Sequence, residues 1–296
     1  GGFIFMKITE IINRQRPILS FEIFPPKPGA DFEPVLKAAE AIAKLQPDFI
    51  SVTYGAGGGT SANTVKIASF IQQLGVTALA HLTCASSTKG EVETVLHQIK
   101  QNGIENVLAL RGDIPEGSDF PQPNQYRYAS ELVEHIKKSS DLCVGGACYP
   151  ESHTESNNWT EDILNLKKKT DMGCDFLTTQ MFFDNNILYN YLYHIREAGI
   201  TTPVFAGIMP VTNGKQITRI CQLSGTILPQ RFRAIVDKFG NKPKAMQQAG
   251  IAYATDQIID LIANGIKGIH VYSMNKPEVA EKIAENLSEI IGTKQR

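Results

Sequence analysis

The stretch EVETVLHQIKQNGIENVLALRG, residues 91–112, contains the unit from which most of the chain is built. Its first half carries apolar residues at the i, i+3, i+4 and i+7 spacing of one helix face, namely Val92, Val95, Leu96 and Ile99. Gly103 ends the helix, because glycine readily adopts the left-handed conformation found after a helix C-terminus. The apolar run 106–112 that follows predicts a buried strand. The stretch therefore predicts a helix, a tight turn and a parallel strand.

The same unit recurs along the chain. Eight β-rich runs are present: ILSFEIF (18–24), FISVTYG (49–55), TALAHLT (77–83), NVLALRG (106–112), CVGGACY (143–149), FLTTQMF (176–182), PVFAGIM (203–209) and GIHVYSM (268–274). The first seven start 27–37 residues apart, the length of one strand and one helix. The longer interval from Met209 to Gly268 is interpreted as an extended connection within one domain.

Eight such units predict an α/β fold, a single-domain (β/α)8 TIM barrel. A doubly wound open sheet is the alternative, but it would place a GxGxxG motif after the first strand, and the sequence has none there. We assign the barrel to residues 6–296, with Met6 as the natural start and Gly1–Phe5 as a non-native remnant.

Composition excludes several classes of protein. The 29 Lys and Arg residues balance 30 Asp and Glu residues, so no basic excess favours bulk nucleic-acid binding. The five cysteines form no CxxC pair, which argues against a disulfide framework or a structural zinc site and predicts a reducing, cytoplasmic location. No run of 18 apolar residues is present, so we expect no membrane span and no membrane partner.

Polar residues near the ends of the predicted strands are the candidates for chemistry, because a barrel places its active site at the carboxyl ends of its strands. Glu22 lies among apolar residues of the first run. Burial would raise the pKa of its carboxyl towards neutrality, as a general acid requires, although a structural salt bridge is an alternative. Asp113 either pairs with Arg111 or provides a fixed charge near a cofactor.

Short motifs resemble those of the methylenetetrahydrofolate reductase family. They are SFEIFPPK (20–27), VTYGA (52–56), HLTC (81–84), ALRGD (109–113), YPESH (149–153), DILNLK (162–167), TQMFFD (179–184), GIMPV (207–211) and HVY (270–272). They follow the family's order over nearly the whole chain. The resemblance is to the bacterial type that consists of the catalytic domain alone.

This resemblance implies a flavoprotein and its substrates. Such an enzyme uses FAD and NAD(P)H to reduce 5,10-methylenetetrahydrofolate to 5-methyltetrahydrofolate by ping-pong hydride transfer, feeding methionine synthesis. It binds no metal, and a homo-oligomer is expected. No ribose-reading motif distinguishes NADH from NADPH.

Residue roles follow from the same resemblance. Glu22 corresponds to the general acid that protonates folate N10, and Asp113 to a charge beside the flavin. The folate contacts implied, besides Glu22, are Gln180, Gln216 and Tyr272. The FAD contacts implied are Thr53, His81, Leu110, Arg111, Gly112, Asp113, Ala147, Tyr149, His153, Asp162, Asn165, Lys168 and Lys169. Lys167–Lys169 would otherwise be interpreted as a solvated helix face.

Two positions depart from the family's pattern. Lys168 stands where some members have Arg, so a point charge replaces a bidentate fork at a phosphate contact. Ile220 stands where at least one bacterial type has a Phe that stacks on substrate.

Three other functions fit a barrel of this kind. One is another flavin-dependent TIM-barrel oxidoreductase, similar to proline dehydrogenase, which would not need Glu22. Another is a metal-dependent aldolase or hydrolase, which would need more ligands than His81 and His153. The last is a non-catalytic carrier of folate or flavin.

Overall fold

The computed structural model describes residues 6–54, 61–114 and 116–292, so the predicted remnant Gly1–Phe5 lies outside the described residues. Within these ranges eight parallel strands, each paired with the next, close into a barrel when β8 pairs with β1. They are β1 (Ile18–Ile23), β2 (Phe49–Val52), β3 (Thr77–Thr83), β4 (Asn106–Leu110), β5 (Cys143–Cys148), β6 (Phe176–Thr179), β7 (Val204–Ile208) and β8 (Gly268–Val271). The predicted (β/α)8 barrel is confirmed.

Helices cover the outside of the barrel. In the described ranges they are α1 (Ile8–Ile12), α2 (Glu33–Ala43), α3 (Ser61–Gln73), α4 (Lys89–Gln101), α5 (Ala129–Ser139), α6 (Trp159–Asp171), α7 (Asn185–Glu197), α8 (Gly214–Ser224), α9 (Gln230–Phe239), α10 (Pro243–Ala263), α11 (Pro277–Asn286) and α12 (Ser288–Ile291). The long interval after β7 holds α8, α9 and α10, which confirms an extended connection within the barrel.

Most of the predicted runs extend past the carboxyl ends of the strands. The run 106–112 is paired only to Leu110, and the run 268–274 only to Val271. The chain leaves the sheet at these points, and Gly112 turns it with a φ of +80°. A side chain added at Gly112 would also lie 2.9 Å from Thr83 Cβ. Arg111 and Asp113 therefore lie in a loop at the barrel mouth, whereas Glu22 and His81 lie within β1 and β3.

The opposite end of the barrel is closed by an apolar layer. Seven strand residues form it inside the barrel, namely Ile18, Phe49, Leu79, Leu108, Cys143, Phe176 and Phe205. Ile8 and Ile11 of α1 cover this layer from below. The backbone N–H of Ile8 donates to Asn106 Oδ1 at 2.7 Å, which fixes α1 against β4. In the part of the chain that the structure describes, this end of the barrel is therefore closed.

A close backbone contact holds the loop after β7. Gly250 of α10 lies against Val211, and a Cβ at Gly250 would be 1.7 Å from the Val211 carbonyl oxygen. Any larger residue there would push the loop away from α10. Beneath it, Val211, Ile217 and Phe232 share a second apolar core.

Candidate active site

A cavity of about 700 Å³ opens at the carboxyl ends of the strands. Ten of the residues predicted to contact cofactor or substrate line it: Glu22, Thr53, His81, Leu110, Gly112, Asp113, Ala147, Tyr149, Gln180 and Tyr272. They come from seven of the eight strands or the loops that follow them. Barrel closure therefore brings together residues up to 250 positions apart in the sequence. We call this space the mouth cavity.

Glu22 lies at the base of the mouth cavity within a hydrogen-bonded group. Ser51 Oγ donates to Glu22 Oε2 at 3.1 Å, and His270 Nε2 lies 3.4 Å from the same oxygen. The Glu22 side chain is 18% exposed. On its far side, the His270 ring places Nδ1 2.7 Å from Ser20 Oγ. Within the described residues, the ion-pair contacts of Glu22 are with His81 and His270 and none is with a Lys or Arg, so the structural salt bridge predicted as an alternative would require a protonated histidine.

The expectation of a raised pKa for Glu22 is wrong for the protein alone. Burial, the largest influence, does raise the pKa of this carboxyl. The hydrogen bond from His270, the electrostatic attraction of His81 and the hydrogen bond from Ser51 outweigh burial, and the pKa lies below its ordinary value. Hydrogen bonds to a carboxylate favour the charged form. Glu22 is therefore ionised near neutral pH while the mouth cavity is open to water.

His81 faces Glu22 from β3. Its Nε2 lies 3.5 Å from Glu22 Oε2 and has no hydrogen-bond partner among the described residues. Burial lowers the pKa of His81 to about 4, although the negative charge of Glu22 opposes this. The imidazole is neutral at physiological pH, and a buried ring nitrogen is available to a ligand.

A second cavity, of about 540 Å³, lies beside the first. Nine of the residues predicted to contact the cofactor line it: Leu110, Arg111, Ala147, Tyr149, His153, Asp162, Asn165, Lys168 and Lys169. Leu110, Ala147 and Tyr149 line both cavities, so the two spaces adjoin. We call this space the side cavity. The predicted cofactor residues thus divide between two adjoining cavities.

The wall of the side cavity is built from α6 and the segment before it. Asp162 is buried, and its Oδ1 accepts from the His153 backbone N–H at 3.1 Å and from Ser156 Oγ at 2.9 Å. The Tyr149 and His153 rings meet edge to face, with centroids 4.6 Å apart. These contacts hold the loop after β5 against the helix.

The lysine run on α6 divides between two roles. Lys167 pairs with Asp171 one turn later on the same helix, as a solvated face would. Lys168 and Lys169 instead line the side cavity, where Lys169 Nζ donates to the Ala147 carbonyl oxygen.

Arg111 pairs with a residue that the sequence did not indicate. Its guanidinium donates two hydrogen bonds to the Glu155 carboxylate, at 2.7 and 2.5 Å, and the ion pair predicted as one alternative, with Asp113, is not found. Asp113 is exposed at the rim of the mouth cavity. The other role predicted for Asp113, a fixed charge near a cofactor, stays a prediction.

The predicted folate contacts are only partly assembled. Gln180 and Tyr272 line the mouth cavity, and the Tyr272 hydroxyl donates to the Thr179 carbonyl oxygen at 2.6 Å. Gln216 is exposed in the first turn of α8 and does not line the cavity. Ile220 packs against the apolar core below α8. The structure therefore does not bring these two α8 residues to Glu22.

Several residues of the site were not assigned a role from the sequence. Ser20, Ser51 and His270 form the group around Glu22, and the signal was their spacing, because alternate strand residues face the barrel interior. Others lie in loops, where no such periodicity exists. These are Tyr128, Glu155 and Ser156 in the side cavity and Met274 in the mouth cavity, and Ala129 and Ser130 join the side cavity from the first turn of α5.

The residues present fit a dinucleotide such as FAD. The two adjoining cavities are in the size range of ligand pockets, and together they offer an elongated site. Arg111, Lys168 and Lys169 supply cations at the side cavity, and the N-terminus of α5 borders it. Helix N-termini favour phosphate groups. The free nitrogen of His81 and the close turn at Gly112 suit a flat ring at the mouth.

Comparison with known proteins agrees with this geometry. The model of the family described as methylenetetrahydrofolate reductase matches residues 7–288. The chain belongs to this family. The proline-dehydrogenase-like alternative is therefore not favoured.

Named relatives support the assignment. The chain is 33% identical over 270 residues to "5,10-methylenetetrahydrofolate reductase" of Escherichia coli, which covers 91% of this chain and 90% of that protein. It is 35% identical over 297 residues to "Methylenetetrahydrofolate reductase (NADH) 1" of Zea mays, which covers 95% of this chain. The chain spans about half the length of the plant relatives, 50% in the maize case.

A solved structure shares the fold. It is an uncharacterized protein from Clostridium thermocellum that binds two copies of 5-methyl-5,6,7,8-tetrahydrofolic acid, with a TM-score of 0.65 at 17% identity. The alignment covers 95% of this chain and 99% of that one. Separately, none of the helices in the described ranges has the length and apolar character to span a bilayer.

Proposed function

We propose that this protein reduces 5,10-methylenetetrahydrofolate to 5-methyltetrahydrofolate with electrons from NAD(P)H, using FAD held in the two adjoining cavities. The observation that carries the proposal is Glu22, a carboxylate at the base of the mouth cavity that is bonded to Ser51 and His270 and has no Lys or Arg partner among the described residues. Such a carboxylate can gain and lose a proton, as ring opening of the folate requires. FAD, when bound, would supply two-electron hydride transfer between the two substrates.

The residues of the side cavity would hold the cofactor's phosphates. Arg111, Lys168 and Lys169 provide positive charge there, and His153, Asp162 and Asn165 are polar neighbours. Lys168 offers a single point charge, so we expect a phosphate contact less geometrically fixed than an Arg fork would give. Thr53, His81, Leu110, Gly112, Ala147 and Tyr149 would enclose the flavin ring and its linkage.

Glu22 would act as the general acid, protonating N10 so that the folate ring opens to an iminium cation at N5. Its pKa is lowered while water fills the mouth cavity. A bound substrate would displace that water, and loss of solvation raises the pKa of a carboxyl. We therefore infer that Glu22 takes up its proton as folate binds.

Other residues of the mouth would position and stabilise the substrates. Gln180 and Tyr272 line the mouth cavity and would orient folate, with Gln216 joining them only if α8 moves. The negative charge of Asp113 at the rim would favour the iminium cation and disfavour an anionic reduced flavin. Because the mouth cavity is a single space, we propose that NAD(P)H and folate use it in turn, in a ping-pong order.

Two broader features belong to the same proposal. The few cysteines fit a reducing compartment, so we propose a cytoplasmic location, and the family resemblance supports a homo-oligomer. The name of the maize relative specifies NADH. We propose NAD(P)H without choosing between the two forms.

Anaerobic stopped-flow spectroscopy tests the proposal. The purified protein is expected to absorb near ~450 nm because of its flavin. NADH or NADPH should bleach this band in the absence of folate, and 5,10-methylenetetrahydrofolate should then restore it. A protein that takes up no FAD when offered it, or a reduced flavin that folate does not reoxidise, would contradict the proposal. Bleaching without reoxidation would instead indicate another flavin oxidoreductase.

A further inference from the structure

The ion pair between Arg111 and Glu155 lies on the side cavity, where the proposed function places the cofactor's phosphates. Arg111 follows β4 and is 22% exposed, whereas Glu155 follows β5 and is 56% exposed. The two N–H groups at the end of the guanidinium both point at the carboxylate, 2.7 and 2.5 Å away. This is the bidentate geometry in which Arg also binds phosphate.

Glu155 differs from the other two acids of the cavity in what it contacts. Glu161 accepts hydrogen bonds from the Asn157 backbone and side chain, and buried Asp162 fixes His153 and Ser156. Both acids therefore hold local structure. The side chain of Glu155 hydrogen-bonds, among the described residues, to Arg111 alone.

The charges of the cavity cancel while this pair is closed. Arg111, Lys168 and Lys169 are the cations on its wall, and Glu155, Glu161 and Asp162 are the acids. A pyrophosphate brings two negative charges to a site that is then neutral. Withdrawal of Glu155 would leave one net positive charge and free the fork of Arg111.

We propose that Glu155 is an internal competitor for the phosphate-bearing ligand of the side cavity. Its carboxylate occupies and orients the Arg111 fork when that ligand is absent, and it leaves the fork when the ligand binds. The inference rests on the proposed function in taking FAD as the ligand. Because the carboxylate is more than half exposed, it can return to water at small cost, and exposed pairs of this kind are weak.

The electrostatics of the pair are consistent with this competition. The hydrogen bond that Arg111 donates to Glu155 is the largest influence that raises the pKa of Arg111, and the same bond is the largest that lowers the pKa of Glu155. Each charge therefore stabilises the other in the free protein. A ligand phosphate on Arg111 would have to replace that stabilisation.

The test compares the FAD dissociation constants of full-length variants. Flavin-loaded protein is diluted, and the rise in free-flavin fluorescence gives the constant. Glu155→Gln removes the competing charge with little change in shape, and we expect FAD to bind about three- to tenfold more tightly. Glu161→Gln makes the same charge change on the same cavity without touching Arg111, so it reports the effect of net charge alone, and its gain in affinity should be smaller than that of Glu155→Gln.

A double-mutant cycle localises the effect. In an Arg111→Ala background, Glu155→Gln should no longer tighten FAD binding, because no fork remains to compete for. Weaker binding by Glu155→Gln would show that the carboxylate stays on Arg111 and supports it, which would overturn the inference. An equal gain in Glu161→Gln, or a gain that persists without Arg111, would overturn it too. If the wild-type protein binds no FAD, the proposed function fails as well. If the wild-type protein binds FAD and Glu155→Gln has the same FAD dissociation constant, this inference alone is refuted.

Discussion

Two carboxylates, one near each end of the barrel, have opposite surroundings. At the closed end, Asp48 is 1% exposed and contacts two arginines, with Arg14 Nη1 at 2.5 Å and Arg16 Nη2 at 2.6 Å from Oδ1. Its Oδ2 also accepts from the Leu19 backbone N–H at 3.0 Å. At the open end, Glu22 is bonded to a serine and a histidine. Asp48 is buried and Glu22 is mostly shielded from water, but only Asp48 is paired with permanent positive charge.

This difference separates structural from chemical roles. A carboxylate fixed by two guanidinium groups gains its stability from remaining charged, since breaking a buried pair leaves charges uncompensated. A carboxylate held by hydrogen bonds alone can change its protonation state when its solvation changes. Asp48 therefore joins the start of β1 to the turn before β2, and Glu22 is suited to proton transfer.

Glu22→Gln should produce the largest effect, and on activity alone. Loss of the general acid is expected to slow folate-dependent reoxidation of the flavin by about 10²- to 10⁴-fold. Reduction of the flavin by NAD(P)H should keep its wild-type rate, because that half-reaction needs no proton on folate N10. Anaerobic stopped-flow measurement of each half-reaction checks this. The free energy of unfolding should change by less than about 1 kcal/mol, since Gln removes the desolvation cost of the charge along with its hydrogen bonds. Near wild-type reoxidation would show that Glu22 is not the acid.

Asp48→Asn should show the reverse pattern. Removing the charge leaves Arg14 and Arg16 without their shared partner, and we expect the free energy of unfolding to fall by about 3 kcal/mol. Urea unfolding measures this. Asp256→Asn is the matched control, because the Arg231–Asp256 pair is 72% and 61% exposed, and exposed pairs contribute about 0–1 kcal/mol. Folded Asp48→Asn protein should keep both half-reaction rates. A loss of activity without a loss of stability would reverse the roles we assign to the two acids.

The sequence predicted the helices and strands of the barrel better than the contacts that its two carboxylates make. The 3.6-residue periodicity of 91–101 and the apolar run that follows it are local signals, and α4 and β4 form where they indicate. The apolar neighbours of Glu22 in the run 18–24 likewise indicated that its carboxyl is shielded from water. Its pKa was predicted in the wrong direction because His270 lies 248 residues away and meets Glu22 only where β8 pairs with β1.

Local sequence patterns also did not predict the contacts between loops. Arg111 and Asp113 are two residues apart, yet Arg111 pairs with Glu155, which a different loop supplies. Gln216 was placed by family resemblance, and its exposure depends on how α8 packs, which no residue spacing encodes. Helix α7 begins at Asn185, where Asp184 caps it by accepting from the Asn186 N–H. Tertiary placement of loops and caps therefore limited the prediction.

The pH dependence of stability extends the comparison through His81. This neutral imidazole lies beside Glu22, the acid without a permanent cation. Its pKa is about 4 in the folded protein against 6.5 ordinarily. Between these pH values the unfolded chain therefore binds a proton at His81 that the folded protein does not bind. The free energy of unfolding therefore falls as pH drops from 6.5 to about 4. The shift corresponds to about 3 kcal/mol.

His81→Gln should flatten the curve of unfolding free energy against pH in this window. His97→Gln, at an exposed position, should leave the slope unchanged. A curve of unchanged slope in His81→Gln would show that the ring is protonated in the folded state.

Substitutions of Asn275 are expected to change the free energy of unfolding least. They test how much a contact at the open end of the barrel contributes to stability, for comparison with Asp48 at the closed end. Its Oδ1 accepts from the Phe24 N–H at 3.0 Å and its Nδ2 donates to the Phe24 carbonyl at 2.9 Å, so one amide side chain continues the pairing of β1 with β8 beyond the sheet. Asn275 also has a φ of +55°, which costs an ordinary side chain about 1–2 kcal/mol. Asn275→Ala should lower the free energy of unfolding by about 2 kcal/mol, through lost hydrogen bonds and backbone strain together. Asn275→Gly loses the bonds but tolerates the backbone, so about 1 kcal/mol is expected. Equal losses in the two variants, measured by urea unfolding, would show that the left-handed backbone carries no cost here.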